Sequence, residues 1–269
     1  MTSKEIIIDL EKVFKINNFI YEKMFSKFIQ LPEIGFHTVP VKKGSSIFRA
    51  RYCNEKESFN TISEMSYPPK EYVKNFSRLN RPNQTLFYGS ETKASCISEM
   101  LPFWLDEFKI GDIITVTHGN WIVQKDFILA IIPDLSNTNV FNKMILNDLN
   151  PEEIIIWEYI SNKFKTNSKE DRNIYKFTAA FGNALRLKSE YQKFNINGFI
   201  YSSVQSKENL NIAIDTNLFD LKYLIPDNFT EIKFQKVDIN EKGLPIYIQI
   251  GNSKMGRANI ENNQIKWFE

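Results

Sequence analysis

A chain of 269 residues, 42% hydrophobic and 25% charged, carries enough apolar material for a substantial core at ordinary globular proportions. Thirty-four Lys and Arg against 32 Asp and Glu leave a formal net charge of +2, too near balance for bulk attraction to nucleic acid, so any polyanion site must be local. Cys53 and Cys96 are too few for a disulfide framework and point to a reducing compartment. Residues 1–5 lack a signal-peptide pattern, and apolar runs such as 154–157 are far too short to span a bilayer. The expectation is a soluble cytoplasmic protein that binds neither nucleic acid directly nor a membrane.

Over residues 4–31, Ile7, Leu10, Val13, Phe14, Phe19, Ile20, Met24, Phe25 and Phe28 recur at an approximate helical period. The period breaks near Asn17-Asn18 and the stretch ends at Pro32, so it reads as one kinked helix or two short amphipathic ones. Alternating apolar and cationic residues over 47–52 read as a first strand. A polar loop follows over 54–83, with a turn of helix near Tyr72, and then a short strand over 85–88. A helix over 92–100 comes next, which Pro102 closes. Residues 113–123 and 127–132 read as two paired strands, with a bend or bulge at His118-Gly119-Asn120. Helices follow at 151–164, opened by Pro151 and two glutamates, and at 174–189. Later strands are expected at 198–201, 211–214 and around Phe219, Ile232, Ile246 and Ile265. The class is α+β, a mixed sheet with flanking helices.

Common catalytic kits fit poorly. His37 and His118 are the only histidines, so a four-ligand transition-metal site would consume nearly all the Cys and His in the chain, and no metal site is expected. A Ser-His-Asp hydrolase would need one of them as base, and no Gly-x-Ser-x-Gly elbow occurs. His118 reads as a strand-end histidine and Cys96 as a small buried hydrophobe. Phosphate-binding glycine loops are missing too.

A different constellation stands out. Arg49 and Arg51 lie two apart on a strand and share a face. Arg78 lies in the loop before Tyr88, Glu99 near the end of the next helix, and Ser203 at the end of a later strand. Taken singly, each has a bland reading: Arg51 as a solvated strand residue, Tyr88 as a packed aromatic, Glu99 as part of an exposed helix face. Together they resemble the RES family, named for its Arg, Glu and Ser. The Y/F-R-x-R strand of that family is matched by Phe48-Arg49-Ala50-Arg51. Its G-R-x-N, L-Y-x-(A/S) and T-A-x-x-E block is matched by Ser77-Arg78-Leu79-Asn80, residues 86–90, Thr92 and Ser98-Glu99. Its late G-(I/L)-x-Y-x-S and N-x-A block is matched by residues 198–203, Asn209-Leu210 and Ala213. The chain departs from the pattern at Ser77, where the family has Gly, and at Gln205 and Lys207, where an Arg is usual.

The resemblance implies a domain over 45–269, its matched core at about 45–215, preceded by a helical N-terminal extension over 1–44. It also implies a split mixed sheet related to the ADP-ribosyltransferase fold. The implied activity is that of a bacterial toxin that consumes NAD, as substrate and not as cofactor, by hydrolysis or by phosphorolysis with phosphate as co-substrate. A helix-turn-helix antitoxin is the implied partner, and homo-oligomers are compatible with it. Protein ADP-ribosylation is the alternative within enzymes, and a non-catalytic binding module on the same fold the alternative outside them. The residue types suit the chemistry. Arg49 and Arg78, with Arg51 as a weaker third, would grip the pyrophosphate. Tyr88 would wall the nicotinamide and offer a hydroxyl handle. Glu99 would stabilise an oxocarbenium-like state, with Ser203 orienting a ribose or phosphate oxygen.

Overall fold

The structure, a computed structural model, describes residues 2–31, 35–54, 58–100, 108–136, 140–166, 173–203, 209–241 and 245–268. The expected stops at Pro32 and Pro102, and the departures at Gln205 and Lys207, lie outside the described residues.

The N-terminal periodicity resolves into two helices, α1 (Ser3–Phe14) and α2 (Tyr21–Gln30). Thr2 and Glu5 form a reciprocal cap at the start of α1, satisfying donors that a helix N-terminus leaves without partners. Asn18 adopts φ +52° between the helices, a left-handed conformation that Asn tolerates better than most residues, so the break falls where the sequence places it. Ile6, Leu10 and Val13 of α1 and Tyr21, Met24 and Phe28 of α2 are buried. They pack against α6 (Pro151–Lys165) and α7 (Ile174–Tyr191). Phe28 meets Phe177 and Phe181 edge-on, with centroids 5.1 and 5.3 Å apart, and Lys163 pairs with Glu11 at 2.8 Å. One hydrophobic cluster therefore takes in the N-terminal helices together with Trp157, Phe177 and Phe181.

Among the described residues, ten strands follow the order β1-β5-β6-β7-β3-β2-β4-β8-β9-β10. They are β1 (Thr38–Val41), β2 (Ser46–Asn54), β3 (Leu86–Ser90), β4 (Ile113–Val123), β5 (Phe127–Ile132), β6 (Gly198–Ser202), β7 (Leu210–Asp215), β8 (Leu224–Ile239), β9 (Pro245–Asn259) and β10 (Gln264–Phe268). The β5–β6 pair is parallel and the other pairs are antiparallel, so the mixed α+β class holds. The sheet is one continuous hydrogen-bonded order, but its two five-stranded halves meet through a single residue pair, Phe48 with Ser90. That seam, between β2 and β3, is where the sheet opens.

Three expectations fail here. β4 and β5 are not partners: β4 lies between β2 and β8, and β5 between β1 and β6. The backbone at the end of β4 is already committed, since Val123 bonds to Gly44 and Ser45, and Gln124 N–H donates to the Tyr223 carbonyl. The unbroken apolar run of β5 suits a strand covered on both faces, and Leu129, Ala130, Ile131 and Ile132 are all buried. The strand expected at Phe219 is instead a short helix, α8 (Asn217–Asp220). The bulge falls as expected, with the β4–β8 register shifting between Gly119 and Trp121. His118 lies inside β4 rather than at its end, 4% exposed. A helix that the sequence reading passes over, α5 (Val140–Asp148), contributes Ile145 to the core. No helix among the described residues is long and apolar enough to cross a membrane.

Candidate active site at the seam of the sheet

Where β2 and β3 part, the ladder has to be satisfied by something other than backbone. Arg49 supplies it: its Nη1 donates to the Tyr88 carbonyl at 2.7 Å. Its guanidinium lies over the Phe87 ring, 5.4 Å from the centroid. The Arg49 Nε is buried with no hydrogen-bond partner among the described residues. Burial, helped by the like charge of Arg51, brings its pKa down from 12.5 to about 10. A desolvated cation with an unused donor is a strong attractor for an anion.

Beside Arg49 the seam opens into a cleft of about 410 Å³, within the ordinary range for small-molecule sites. Arg49, Arg78, Tyr88 and Glu99 all line it, together with Ser90, Tyr201 and Asn211. A second pocket of about 250 Å³ shares Arg49, Ser77 and Tyr88 with it, and Lys74 lines that second pocket.

Each side chain is placed by a local device. The loop bearing Arg78 closes on itself through Ser77 N–H and the Asn80 carbonyl at 3.0 Å. Arg78 then donates to the Phe164 carbonyl at the end of α6 and sits over the Tyr175 ring, 5.4 Å from its centroid. Tyr88 has its hydroxyl fully engaged: it donates to Asn80 Oδ1 at 2.8 Å and accepts from Leu79 N–H at 3.1 Å. Burial pushes this phenol well above its usual range. The ring is thus available as a wall, while its hydroxyl serves the protein rather than a ligand. Thr92 caps α4 (Lys93–Ser98) by accepting from Ser95 N–H at 3.1 Å, and Glu99 is the residue that ends that short helix. Ser203, 5% exposed, donates its hydroxyl to Glu99 Oε1.

Five of the six residues singled out from sequence therefore converge: four line the cleft and Ser203 holds the carboxylate of one of them. Arg51 does not join them. It donates to the Glu64 carbonyl in α3 (Ile62–Met65) and lies over the Phe59 ring at 4.9 Å, so it braces the loop after β2.

In the cleft floor, Ser90 and Tyr201 fall within the matched blocks, but Asn211 and the row that joins the three were not read from the sequence. Phe48 pairs with Ser90, Ser90 with Asn211 and Asn211 with Tyr201, one row running across β2, β3, β7 and β6. Ser90 and Asn211 are 2% and 6% exposed, and the Ser90 hydroxyl donates to Asn211 Oδ1 at 3.0 Å. Burial pushes the Tyr201 phenol up. Cys96 also faces the cleft, its thiol pushed up to about 12 by burial, which keeps it protonated and poorly nucleophilic. Chemically, the site offers a buried cation, a second arginine, an aromatic wall and one hydrogen-bonded carboxylate. Compared with known proteins, the chain matches no family model, and no curated protein is similar to it in sequence.

Proposed function

We propose that this chain cleaves the nicotinamide–ribose bond of NAD, by hydrolysis or phosphorolysis, and acts as a cytoplasmic bacterial toxin restrained by a helix-turn-helix antitoxin. The observation that carries the reading is the pair of pockets at the seam that both have Arg49 in their lining, with Glu99, bonded to Ser203, in the larger one. A dinucleotide has that shape and charge: two bulky ends and an anionic centre. The pyrophosphate would lie at Arg49 and Arg78, and the nicotinamide ribose near Glu99.

As the bond from the anomeric carbon to the pyridinium nitrogen lengthens, its electron pair leaves with nicotinamide, which departs neutral. Positive charge grows on the ribose, and a fixed carboxylate stabilises it more than it stabilises the ground state. Ser203 keeps that carboxylate in one orientation. Water then adds to the anomeric carbon and loses a proton, giving ADP-ribose; phosphate in its place gives the ribosyl phosphate.

Incubating the purified protein with NAD, with and without phosphate, and identifying the products tests this directly. Nicotinamide release is expected, and the second product names the nucleophile. Inducing the chain alone in a bacterium is expected to deplete NAD and halt growth. Arrest with intact NAD and labelled protein from labelled NAD would replace this reading with protein ADP-ribosylation. Intact NAD with normal growth would leave a non-catalytic binding module.

A further inference from the structure

We propose that the Ser90–Asn211 pair in the cleft floor recognises a primary carboxamide, so that the site takes nicotinamide and rejects nicotinate. The inference rests on the NAD reading for its biological meaning, but its geometry stands alone.

Both residues are more than nine-tenths buried and both line the cleft. They face each other in register on adjacent strands. In the hydrogen bond between them Ser90 Oγ is the donor and Asn211 Oδ1 the acceptor, at 3.0 Å. Spending the hydroxyl proton this way leaves lone-pair capacity on Ser90 Oγ. It also leaves the Asn211 amide with its N–H donors uncommitted among the described residues. A donor and an acceptor side by side are the complement of a primary amide, whose carbonyl accepts and whose NH2 donates.

A carboxylate offers two acceptors and no donor. One of its oxygens would face the Ser90 lone pairs, with the Glu99 side chain lining the same cleft. Sites built to hydrogen-bond a particular N–H or O–H reject the analogue that lacks it strongly, because their own buried polar groups are left without partners.

The test is ligand binding to the full-length protein, read by ligand-observed NMR titration with nicotinamide, nicotinate and 3-acetylpyridine. The last keeps the carbonyl and lacks the NH2. Nicotinamide is expected to bind at least about tenfold tighter than either analogue, the ratio set by one lost hydrogen bond. Ser90→Ala removes the acceptor and unlocks Asn211, so the preference over nicotinate is expected to fall below about threefold. Equal binding of the three ligands by the wild type overturns the proposal whether or not the variant folds, and so does an undiminished preference in Ser90→Ala. NAD cleavage measured on the same preparation separates the two ideas. Cleavage without amide preference sinks only this inference. Amide preference with NAD intact keeps the carboxamide site and sinks the NAD-cleaving reading.

Discussion

Replacing Arg49 by Met should stabilise the empty protein while abolishing its affinity for NAD. The guanidinium is held charged in a place that disfavours charge, and its pKa is drawn down from 12.5 to about 10 chiefly by burial. For a base, a folded-state pKa below the unfolded value means that the protonated form is penalised in the fold. That penalty is fully present at neutral pH and is relieved only as pH rises from about 10 towards 12.5. At roughly 1.4 kcal/mol per pH unit, it amounts to about 3 kcal/mol. Met keeps a long apolar stem against Phe87, but it leaves the Tyr88 carbonyl without its 2.7 Å donor; an unsatisfied buried acceptor costs about 1–2 kcal/mol. The net gain is about 1–2 kcal/mol, a rise in Tm of about 2–8 °C for a chain of this size. Binding moves the other way. A cation about 4 Å from a phosphate oxygen at an effective dielectric near 20 contributes about 4 kcal/mol, so Kd for NAD should rise by roughly a thousandfold. Thermal unfolding and calorimetric titration on the same preparations read both effects. A variant that melts lower yet binds NAD as well as wild type would refute the reasoning and make Arg49 a pin for the seam and nothing more.

Glu99→Gln keeps an acceptor for Ser203 but removes the charge, so kcat should fall by about 10²–10³ with NAD affinity little changed; wild-type turnover would remove Glu99 from the chemistry. Arg78→Ala should weaken NAD binding more than Arg51→Ala, because Arg78 lines the cleft and Arg51 is bonded to the Glu64 carbonyl; equal small effects in titrations would show both to be surface charges. Burial, with Lys93 adding like charge, lowers the His118 pKa from 6.5 to about 4. Its contribution is then complete above pH 6.5 and lost as pH falls from there towards 4, about 3 kcal/mol in all. Urea midpoints for His118→Gln should therefore be flatter than wild type over that window, and parallel curves would count against the assignment. Deleting residues 2–31 uncovers Trp157, Phe177 and Phe181, and cooperative thermal unfolding should disappear; a retained sharp transition would show that the helices are dispensable to the core.

What could be read from the sequence was local, and what could not was a matter of register. The break at Asn17-Asn18, the helix opened by Pro151 and the strand carrying Arg49 each depend on a dozen residues or fewer, and each formed where expected. The pairing of β4 with β5 looked natural because they are close in sequence, yet the edges of β4 were already taken by β2 and β8. Nothing local announces that. Arg51 shares its strand and face with Arg49, so periodicity could not separate them. The separation comes from Phe59 and Glu64, which reach back over β2 and engage Arg51. Tyr88 was legible as an aromatic of the site, but its hydroxyl was not legible as spent, since that depends on how the Leu79–Asn80 loop folds back onto it. Ser90 and Asn211 are 121 positions apart, and only the β3–β7 register makes them neighbours.

The seam also explains why one arginine can be both architecture and chemistry. A polar cleft cannot sit in the middle of a sheet unless two strands part, and parting them strands backbone carbonyls in a buried place. Here the strands touch once, at Phe48 and Ser90, and then diverge. Gly89 permits that approach: a Cβ there would come within 2.7 Å of the Phe48 carbonyl oxygen and 3.0 Å of the Ile47 side chain, so any side chain would force the halves further apart. Beyond the contact, the Tyr88 carbonyl is answered by Arg49 rather than by β2 backbone. Using a guanidinium for this job leaves donors over, and the buried Nε, with no partner among the described residues, is one of them. An uncharged side chain could close the ladder equally well, and without the desolvation cost that holds the Arg49 pKa near 10. What that cost provides is a positive charge fixed where the two pockets share Arg49, which an anionic ligand would offset on binding. A residue that weakens the empty fold and strengthens the loaded one is the thermodynamic signature of a binding site, and it is why the Arg49→Met melting curve and the NAD titration should move in opposite directions.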